Sequence, residues 1–315
     1  MDLKYMPRFN LISPNINLNF IGKKKLFFTT SILLIFFAVS LFLYKGLNYG
    51  IDFQGGIMID VRTQGPANLS ALRSQLGRLD LGEVSLQEFG QPDNVLIRVQ
   101  RQDGGEEAQQ LALAKVKNAL GPGIEYRRTE FVGPKVSDEL FWDGVWAVTF
   151  AITAILIYIW FRFEWQFGIG AIVALVHDVL TTIGVFALLG LEFNLSTVAA
   201  ILTIAGYSIN DTVVVYDRVR ENLRKYKKLD LFELLNNSIN QTLSRTVMTS
   251  VTTLLALLSL YFLGGEVIKD FSFAMIWGVL IGTYSSICLA VPLLLHLKIR
   301  RGDTQSNEEV SKVPS

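Results

Sequence analysis

Long runs of uncharged, mostly apolar residues alternate with short charged stretches along most of this chain. The first run, Leu26 to Tyr44, has nineteen residues and follows three consecutive lysines. Five more runs come after Asp143, with approximate limits of 142–162, 166–190, 193–215, 245–264 and 271–297. Because an α-helix needs about 20 apolar residues to cross a bilayer core, the pattern predicts six transmembrane helices. The first, over residues 23–44, exceeds the apolar part of a signal peptide, so we interpret it as an uncleaved membrane helix.

The segment 45–141 has a different pattern, with 11 Lys or Arg and 13 Asp or Glu residues and no run long enough to span a membrane. Alternating apolar positions, turn residues and helical periodicity divide it into six elements. They are strand Ile51–Thr63, helix Asn68–Leu79, strands Val84–Phe89 and Asn94–Arg101, helix Glu106–Leu120 and strand Ile124–Val132. This order, βαββαβ, predicts an α+β domain of the ferredoxin-like type.

The distribution of Lys and Arg predicts how the helices are oriented. Six of these residues lie between positions 216 and 244, whereas the short 264–270 connection has Lys269 alone. Cytoplasmic loops are enriched in Lys and Arg. We therefore expect a cytoplasmic N-terminal segment at 1–22, a cytoplasmic tail at 298–315, a periplasmic domain at 45–141 and a five-helix membrane domain at 142–297.

Composition narrows the function classes. Half of the 315 residues are hydrophobic and 18% are charged, and the net charge is +1. These values favour a membrane protein and give no indication of nucleic-acid binding. The two histidines, His177 and His296, and the single cysteine, Cys288, form no metal-binding pattern. Since nucleotide-binding and nucleophile–base motifs are also missing from the sequence, we expect neither an enzyme nor a cofactor.

Asp211 is the most informative residue of the predicted membrane part. It follows eighteen uncharged residues, Phe193 to Asn210, and shares a helix face with Thr203 and Tyr207. A carboxylate at membrane depth is costly and marks a functional site by default. Because such an acid can take up a proton when desolvated and release it beside a cation, we expect a proton relay.

Two other membrane segments carry ionisable groups next to hydroxyl groups. Asp178 lies beside His177 and is followed four positions later by Thr182, and Arg245 is followed four positions later by Thr249. Both groups have structural alternatives. Asp178 and His177 could instead form a structural hydrogen bond between helices. Arg245 could instead extend from a helix end to the membrane surface.

Four motifs resemble the SecD/SecF family of bacterial protein-export membrane proteins, within the resistance–nodulation–division superfamily, and in particular its SecF branch. The motifs are Asp52-Phe53-Gln54-Gly55-Gly56, Phe131-Val-Gly-Pro-Lys135, the fourth-helix stretch from Gly206-Tyr207 through Asn210-Asp211-Thr212 to Asn222, and Ser244 to Thr253. The resemblance covers roughly residues 20–300. The order of one helix, an outer domain and five helices is also the family's own.

The resemblance implies a role in protein export. SecF-type members pair with SecD among the lipids of the inner membrane and associate with the SecYEG channel and YajC. They use the proton-motive force, without a cofactor, to help complete the export of unfolded polypeptides after the SecA motor. By motif, Asp211 and Arg245 fall on the family's proton-coupling acid and its arginine. The helices that carry them are joined by a predicted loop over 216–244, so an ion pair between the two side chains is geometrically plausible and is expected. The Asp52–Gly56 stretch falls where the outer domain joins the membrane part.

Two other functions stay open. One is a scaffold that stabilises the translocon without transporting, in which the intramembrane polar residues are structural. The other is half of a small-molecule proton antiporter. One outer domain and six helices argue against a complete exporter, because alternating access normally needs two repeats that move against each other.

Overall fold

The computed structural model describes residues 16–265, 268–297 and 299. Most of the predicted N-terminal segment 1–22 and of the predicted tail 298–315 lies outside these residues. Six of the described helices are long and apolar enough to cross a membrane. Five of them are α1 Lys24–Lys45, α5 Pro134–Arg162, α6 Trp165–Leu189, α7 Leu195–Lys225 and α8 Leu231–Leu263. The sixth span, Lys269–Leu293, begins with α9 Lys269–Ser285. The prediction of a six-helix polytopic membrane protein is confirmed.

Two membrane helices are longer than the apolar pattern predicts. α7 has 31 residues and α8 has 33, so the predicted loop over 216–244 is wrong, and residues 226–230 connect the two helices. The apolar runs stop short because the added turns are amphipathic, with one face exposed and polar. α8 begins where the carboxylate of Asp230 accepts a hydrogen bond from Phe232 N at 2.9 Å and caps the helix.

α7 is an unbroken helix with a well-defined start. The Asn194 side chain accepts a hydrogen bond from Thr197 N at 3.1 Å, and Thr197 Oγ1 accepts one from Asn194 N at 3.4 Å. This reciprocal pair is a capping box, which satisfies backbone donors of the first turn. α9, in contrast, passes into a π-helical segment at Ser286–Ala290, which is followed by α10 Val291–Leu293.

The domain between α1 and α5 has the βαββαβ order that the sequence predicts. Its elements are β2 Gly56–Arg62, α3 Leu69–Leu76, β3 Val84–Phe89, β4 Gln91–Val99, α4 Gly105–Leu120 and β5 Glu125–Val132. The strands form an antiparallel sheet in the order β3-β4-β2-β5. Ile57 and Ile59 of β2 pack in one core with Leu76 of α3 and Val116 of α4. Both helices therefore cover the same face of the sheet.

The predicted strand Ile51–Thr63 is wrong in its first third. Residues Ile51–Gln54 form a single helical turn, α2, and β2 begins at Gly56. Gly55 has φ +70° and Gly56 has φ +118°, conformations that are easily adopted only by glycine. The chain therefore turns at this glycine pair before it enters the sheet.

The open face of the sheet lies over the outer ends of the membrane helices. Here β1 Asn48–Tyr49, which follows α1, pairs in parallel with β6 Glu192–Phe193, which precedes α7. Between the sheet and the membrane part is a cavity of about 280 Å³. Its lining includes Met58, Asp60 and Leu96 of the sheet together with Asn194 and Asp270 of the membrane part. The outer domain is thus seated directly on the start of α7.

Candidate functional site

Asp178 of α6 is a polar side chain of the membrane part with three close side-chain partners. It is fully buried. Its Oδ2 accepts hydrogen bonds from Ser208 Oγ of α7 at 2.6 Å and from Ser285 Oγ of α9 at 2.7 Å. Its Oδ1 lies 2.9 Å from Nδ1 of His177. One carboxylate therefore ties three helices together.

The polar chain continues from His177 to α1. The rings of His177 and Tyr284 have their centroids 6.0 Å apart. Tyr284 donates its hydroxyl hydrogen to Phe27 O at 3.0 Å and lies 3.1 Å from Ser31 Oγ. Among the described residues, His177 Nε2 is buried and has no hydrogen-bond partner. The sequence indicated His177 and Asp178 but not their contacts with α1, α7 and α9.

Asp211 of α7 is equally buried, with 2% of its surface exposed, but is more weakly bonded. Within the described part of the chain, its hydrogen-bond donor is Thr283 Oγ1, 3.5 Å from Oδ2. That hydroxyl also lies 2.8 Å from Val279 O and 2.7 Å from Ser250 Oγ. Because one hydroxyl has one hydrogen to donate, Asp211 lacks a strong partner.

Arg245 of α8 does not form the expected ion pair. In the part of the chain that the structure describes, no ion pair joins its guanidinium group to Asp211. Arg245 is exposed on the surface of the helix bundle, as is Thr249 one turn further on. An intramembrane cation on an outer surface of the bundle is costly unless something covers it.

The fourth-helix motif points in two directions. Gly206 and Asn210 are exposed on the same side of the bundle as Thr203, whereas Thr212 is buried and its hydroxyl lies 2.8 Å from Ser286 Oγ. The Tyr207 hydroxyl is buried without a hydrogen-bond partner among the described residues. Half of the motif therefore holds α7 to α9, and the other half faces outward.

Four consecutive residues, at the end of α9 and the start of the π-helical segment, connect these networks. Thr283 reaches Asp211, Tyr284 reaches α1, Ser285 reaches Asp178, and Ser286 donates to Ser208 O at 3.3 Å. They immediately precede or begin the π-helical segment, a feature often found at functional sites. Sequence reasoning missed this cluster. The available signal was a run of four hydroxyl residues inside an otherwise apolar segment.

The Asp52–Gly56 motif lies at the junction of the outer domain and the membrane part. Asp52 Oδ2 accepts a hydrogen bond from Leu195 N, the first residue of α7, at 3.0 Å. Phe53 packs against Phe193 and Phe141, each with ring centroids 6.0 Å away. A Cβ atom at Gly56 would lie 2.5 Å from Val99 O. The motif therefore serves a close contact between the outer domain and the membrane part.

These features define a class before they define a family. The chain is a polytopic helical membrane protein with two buried intramembrane carboxylates and an outer α+β domain seated on the helix that carries one of them. Among the described residues, no group of three His, Cys, Asp or Glu side chains is placed to hold a metal ion.

Comparison with known proteins identifies the family. The model described as "Protein export membrane protein SecD/SecF, C-terminal" matches residues 112–300, and the "SecD/SecF GG Motif" model matches residues 42–67. The chain belongs to the SecD/SecF family. It is 46% identical over 309 residues to the protein translocase subunit SecF of Rhodobacter capsulatus, covering 93% of each chain. It is 47% identical to that of Rickettsia bellii, covering 90% of this chain and 94% of the relative.

The fold is also that of a solved family member. The crystal structure of SecDF, a translocon-associated membrane protein from Thermus thermophilus, matches with a TM-score of 0.82 and 39% identity. The match covers 92% of this chain and 40% of the longer SecDF chain. The chain thus spans less than half of that solved protein.

Proposed function

We propose that this chain is the SecF-type subunit of a protein translocase and that it uses the proton gradient to promote polypeptide export. The observation that carries the proposal is Asp211: a carboxylate at membrane depth, buried, with one long hydrogen bond among the described residues. A carboxylate of this kind can change its protonation state when its surroundings change. Family membership provides the process to which that change is coupled.

The exposed polar surface of α7 and α8 indicates where a partner packs. Thr203, Gly206 and Asn210 of α7 and Arg245 and Thr249 of α8 all lie on the outside of the bundle. Polar side chains at membrane depth normally face protein or a water-filled cavity. We infer that a SecD chain covers this surface and completes a two-repeat assembly, consistent with a solved SecDF chain more than twice as long as its matched part.

The proposed orientation follows from charge. The six Lys and Arg residues between 216 and 244 lie on the final turns of α7 and in the connection to α8, and such clusters favour the cytoplasmic side. We therefore infer that the outer domain lies in the periplasm, on the far side of the inner membrane from SecA. The exported polypeptide, the SecYEG channel and YajC are the further partners of this proposal, and the gradient is its energy source.

A non-transporting scaffold is the alternative that one observation favours. The Asp178 carboxylate has a partner on each oxygen, as expected for a structural role. Asp211 argues against extending that role to the whole site, since a structural carboxylate is expected to have strong partners. No comparable observation favours a small-molecule antiporter.

The test is gradient-dependent export into inverted membrane vesicles supplied with SecA and ATP. We expect Asp211→Asn and Arg245→Met to abolish the increase in export caused by the gradient, while membrane insertion and partner binding persist. Asp217→Asn is the matched control, because Asp217 is on the same helix but pairs with Arg162 at 2.7 Å near the helix end. Full gradient stimulation in the Asp211→Asn protein would exclude Asp211 as the coupling acid.

A further inference from the structure

The outer domain contacts the first residues of α7, and the strand that precedes them, through several independent hydrogen bonds and an ion pair. We call Asp52, Arg98 and Glu192, together with the β1–β6 pair, the outer joint. Asp52 accepts the hydrogen bond from Leu195 N at 3.0 Å. A carboxylate at this position also complements the positive end of the α7 dipole. The motif of the glycine pair is thus bonded directly to the helix that carries Asp211.

An ion pair adds the second contact. Arg98 lies on β4, on the open face of the sheet, and its Nη2 bonds to Oε2 of Glu192 on β6. Arg98 Nη1 also donates to Asn48 Oδ1 at 2.9 Å. The side chains of Arg98 and Glu192 are each 14% exposed. One guanidinium group therefore joins the centre of the outer sheet to both short strands of the junction.

Backbone contacts fix the same region. Gly50 N donates to Phe193 O at 2.9 Å, and Asn48 Nδ2 donates to Gly190 O at 3.0 Å. The segment that enters α7 is therefore held from residue 190 to residue 195. Neither of these two contacts involves a long flexible side chain.

The helix beyond the joint is suited to carrying a movement. α7 continues without interruption from Leu195 to Lys225. Asp211 lies seventeen residues after the cap residue Asn194, which is about 25 Å along the axis at 1.5 Å per residue. A packed helix moves as a rigid body rather than stretching. A shift or tilt of α7 at Asp211 must therefore displace the outer joint as well.

We propose that the outer joint transmits movements of α7 to the outer domain, and that Arg98 and Glu192 are positioning residues for gradient-dependent export. The proposal rests on the proposed function, because it takes Asp211 as the place where the gradient acts. It assigns a role to an ion pair that lies outside every motif of the sequence. It also gives the Asp52 motif a mechanical purpose, namely to fasten the sheet to a moving helix.

The electrostatics of the pair show that Arg98→Lys is a milder change than removal of the positive charge. Burial raises the pKa of Glu192 above its ordinary value, with Arg98 lowering it and Asp270 and Asp52 raising it further. Removing Arg98 leaves a buried carboxylate without its cation, which is strongly destabilising. Replacing Arg98 by Lys keeps the charge but cannot reproduce the two-sided contact with Asn48 and Glu192. The other charged groups lining the adjoining cavities are Asp60, Glu83, Glu88, Arg101, Asp103, Arg128, Glu130, Lys269 and Asp270.

The experiment compares Arg98→Met and Arg98→Lys with Arg62→Met in the full chain with its partner. Arg62 pairs with Asp93 at 2.7 Å in the same sheet, but this pair is more exposed and makes no contact with the membrane part among the described residues. We expect the Arg98 variants to lose most of the gradient-dependent increase in export. Export driven by SecA and ATP with the gradient collapsed should stay at the level of Arg62→Met. A merely structural role would lower both kinds of export together.

Arg98→Lys decides the matter if Arg98→Met does not accumulate in the membrane. A gradient-dependent increase equal to that of Arg62→Met overturns the inference. Asp211→Asn, measured in parallel, separates the two proposals. If Asp211→Asn loses the increase and the Arg98 variants keep it, the joint is wrong and the function stands. If the Arg98 variants lose it and Asp211→Asn keeps it, the joint stands and the coupling acid has been assigned wrongly.

Discussion

Asp178 and Asp211 are both buried carboxylates of the membrane part, and their hydrogen bonds distinguish them. Asp178 has two serine hydroxyls at 2.6 and 2.7 Å and a histidine nitrogen at 2.9 Å. Asp211 has a shared threonine hydroxyl at 3.5 Å. Strong hydrogen-bond partners hold a carboxylate in one protonation state, whereas a weak partner allows that state to change. We therefore interpret Asp178 as an anchor between helices and Asp211 as the group that changes state.

Substitution of Asp178 tests the anchor. Asp178→Leu removes the acceptor of Ser208 and leaves its buried hydroxyl unsatisfied, at a cost of about 1–3 kcal/mol. Ser285 loses the same acceptor but still donates to Gly282 O at 3.1 Å. Asp178→Asn keeps one acceptor oxygen in place. We expect the Leu variant to lower the melting temperature in detergent by several degrees and the Asn variant to lower it much less.

Export of the Asn variant shows whether Asp178 also carries protons. An anchor predicts that Asp178→Asn retains the gradient-dependent increase in export. Loss of that increase at an unchanged melting temperature would instead make Asp178 part of the proton relay, as the sequence also allows.

The identity of the key acids was predictable at the residue scale, but their partners were not. Asp211 was found from eighteen preceding uncharged residues, since depth in a membrane follows from position along a helix. Ser285 and Thr283 were not predicted as partners of the two acids, because contacts between helices depend on how each helix is rotated about its axis. Nothing in one sequence determines that rotation. The same limit applies to Arg98 and Glu192, which meet from separate domains.

At the scale of elements, the glycine pair at the start of β2 lets this strand approach β4 closely. Gly56 has φ +118°, and a Cβ there would lie 2.5 Å from Val99 O of the neighbouring strand. Gly55 is less crowded, since a Cβ at that position would first meet Ser137 Oγ at 3.1 Å. Two constraints, on backbone conformation and on space, therefore coincide at Gly56.

Gly56→Val should impair both stability and gradient-dependent export. The positive φ costs about 1–2 kcal/mol for a residue with a Cβ, and the contact with a backbone carbonyl forces β2 and β4 apart. Gln64→Val is the control, because Gln64 is an exposed residue just after the same strand. The measurements are the melting temperature of the full chain and export with and without the gradient. Equal results for both variants would show that the glycine pair is an ordinary strand start.

The elements themselves were largely predictable from periodicity. Alternating residues such as Ile57, Ile59 and Val61 indicated a strand, and the βαββαβ order followed from the sequence of turns. Two kinds of detail were not predictable. Amphipathic turns extend α7 and α8 beyond their apolar runs, and the helical turn Ile51–Gln54 replaces the start of a predicted strand. In each case tertiary contacts, at the junction or around the connection between α7 and α8, outweigh the local hydrophobic pattern.

At the scale of the whole molecule, α7 links the acid, the partner-facing surface and the outer domain. Its middle carries Asp211, its exposed side carries Thr203 and Asn210, and its first residue is bonded to Asp52. We therefore expect that a proton taken up at Asp211 alters the position of the outer domain. A full elementary charge that crosses 100 mV gains about 2.3 kcal/mol, which is enough to shift a two-state equilibrium about fifty-fold.

The most direct measurement reconstitutes export from purified components. Vesicles containing SecYEG and a SecD chain, with SecA and ATP, are compared with and without this chain, each with an imposed and with a collapsed proton gradient. We predict that the gradient increases export strongly only when this chain is present, and that the chain has little effect once the gradient is collapsed. An increase of the same size without this chain would contradict its role as the gradient-driven subunit.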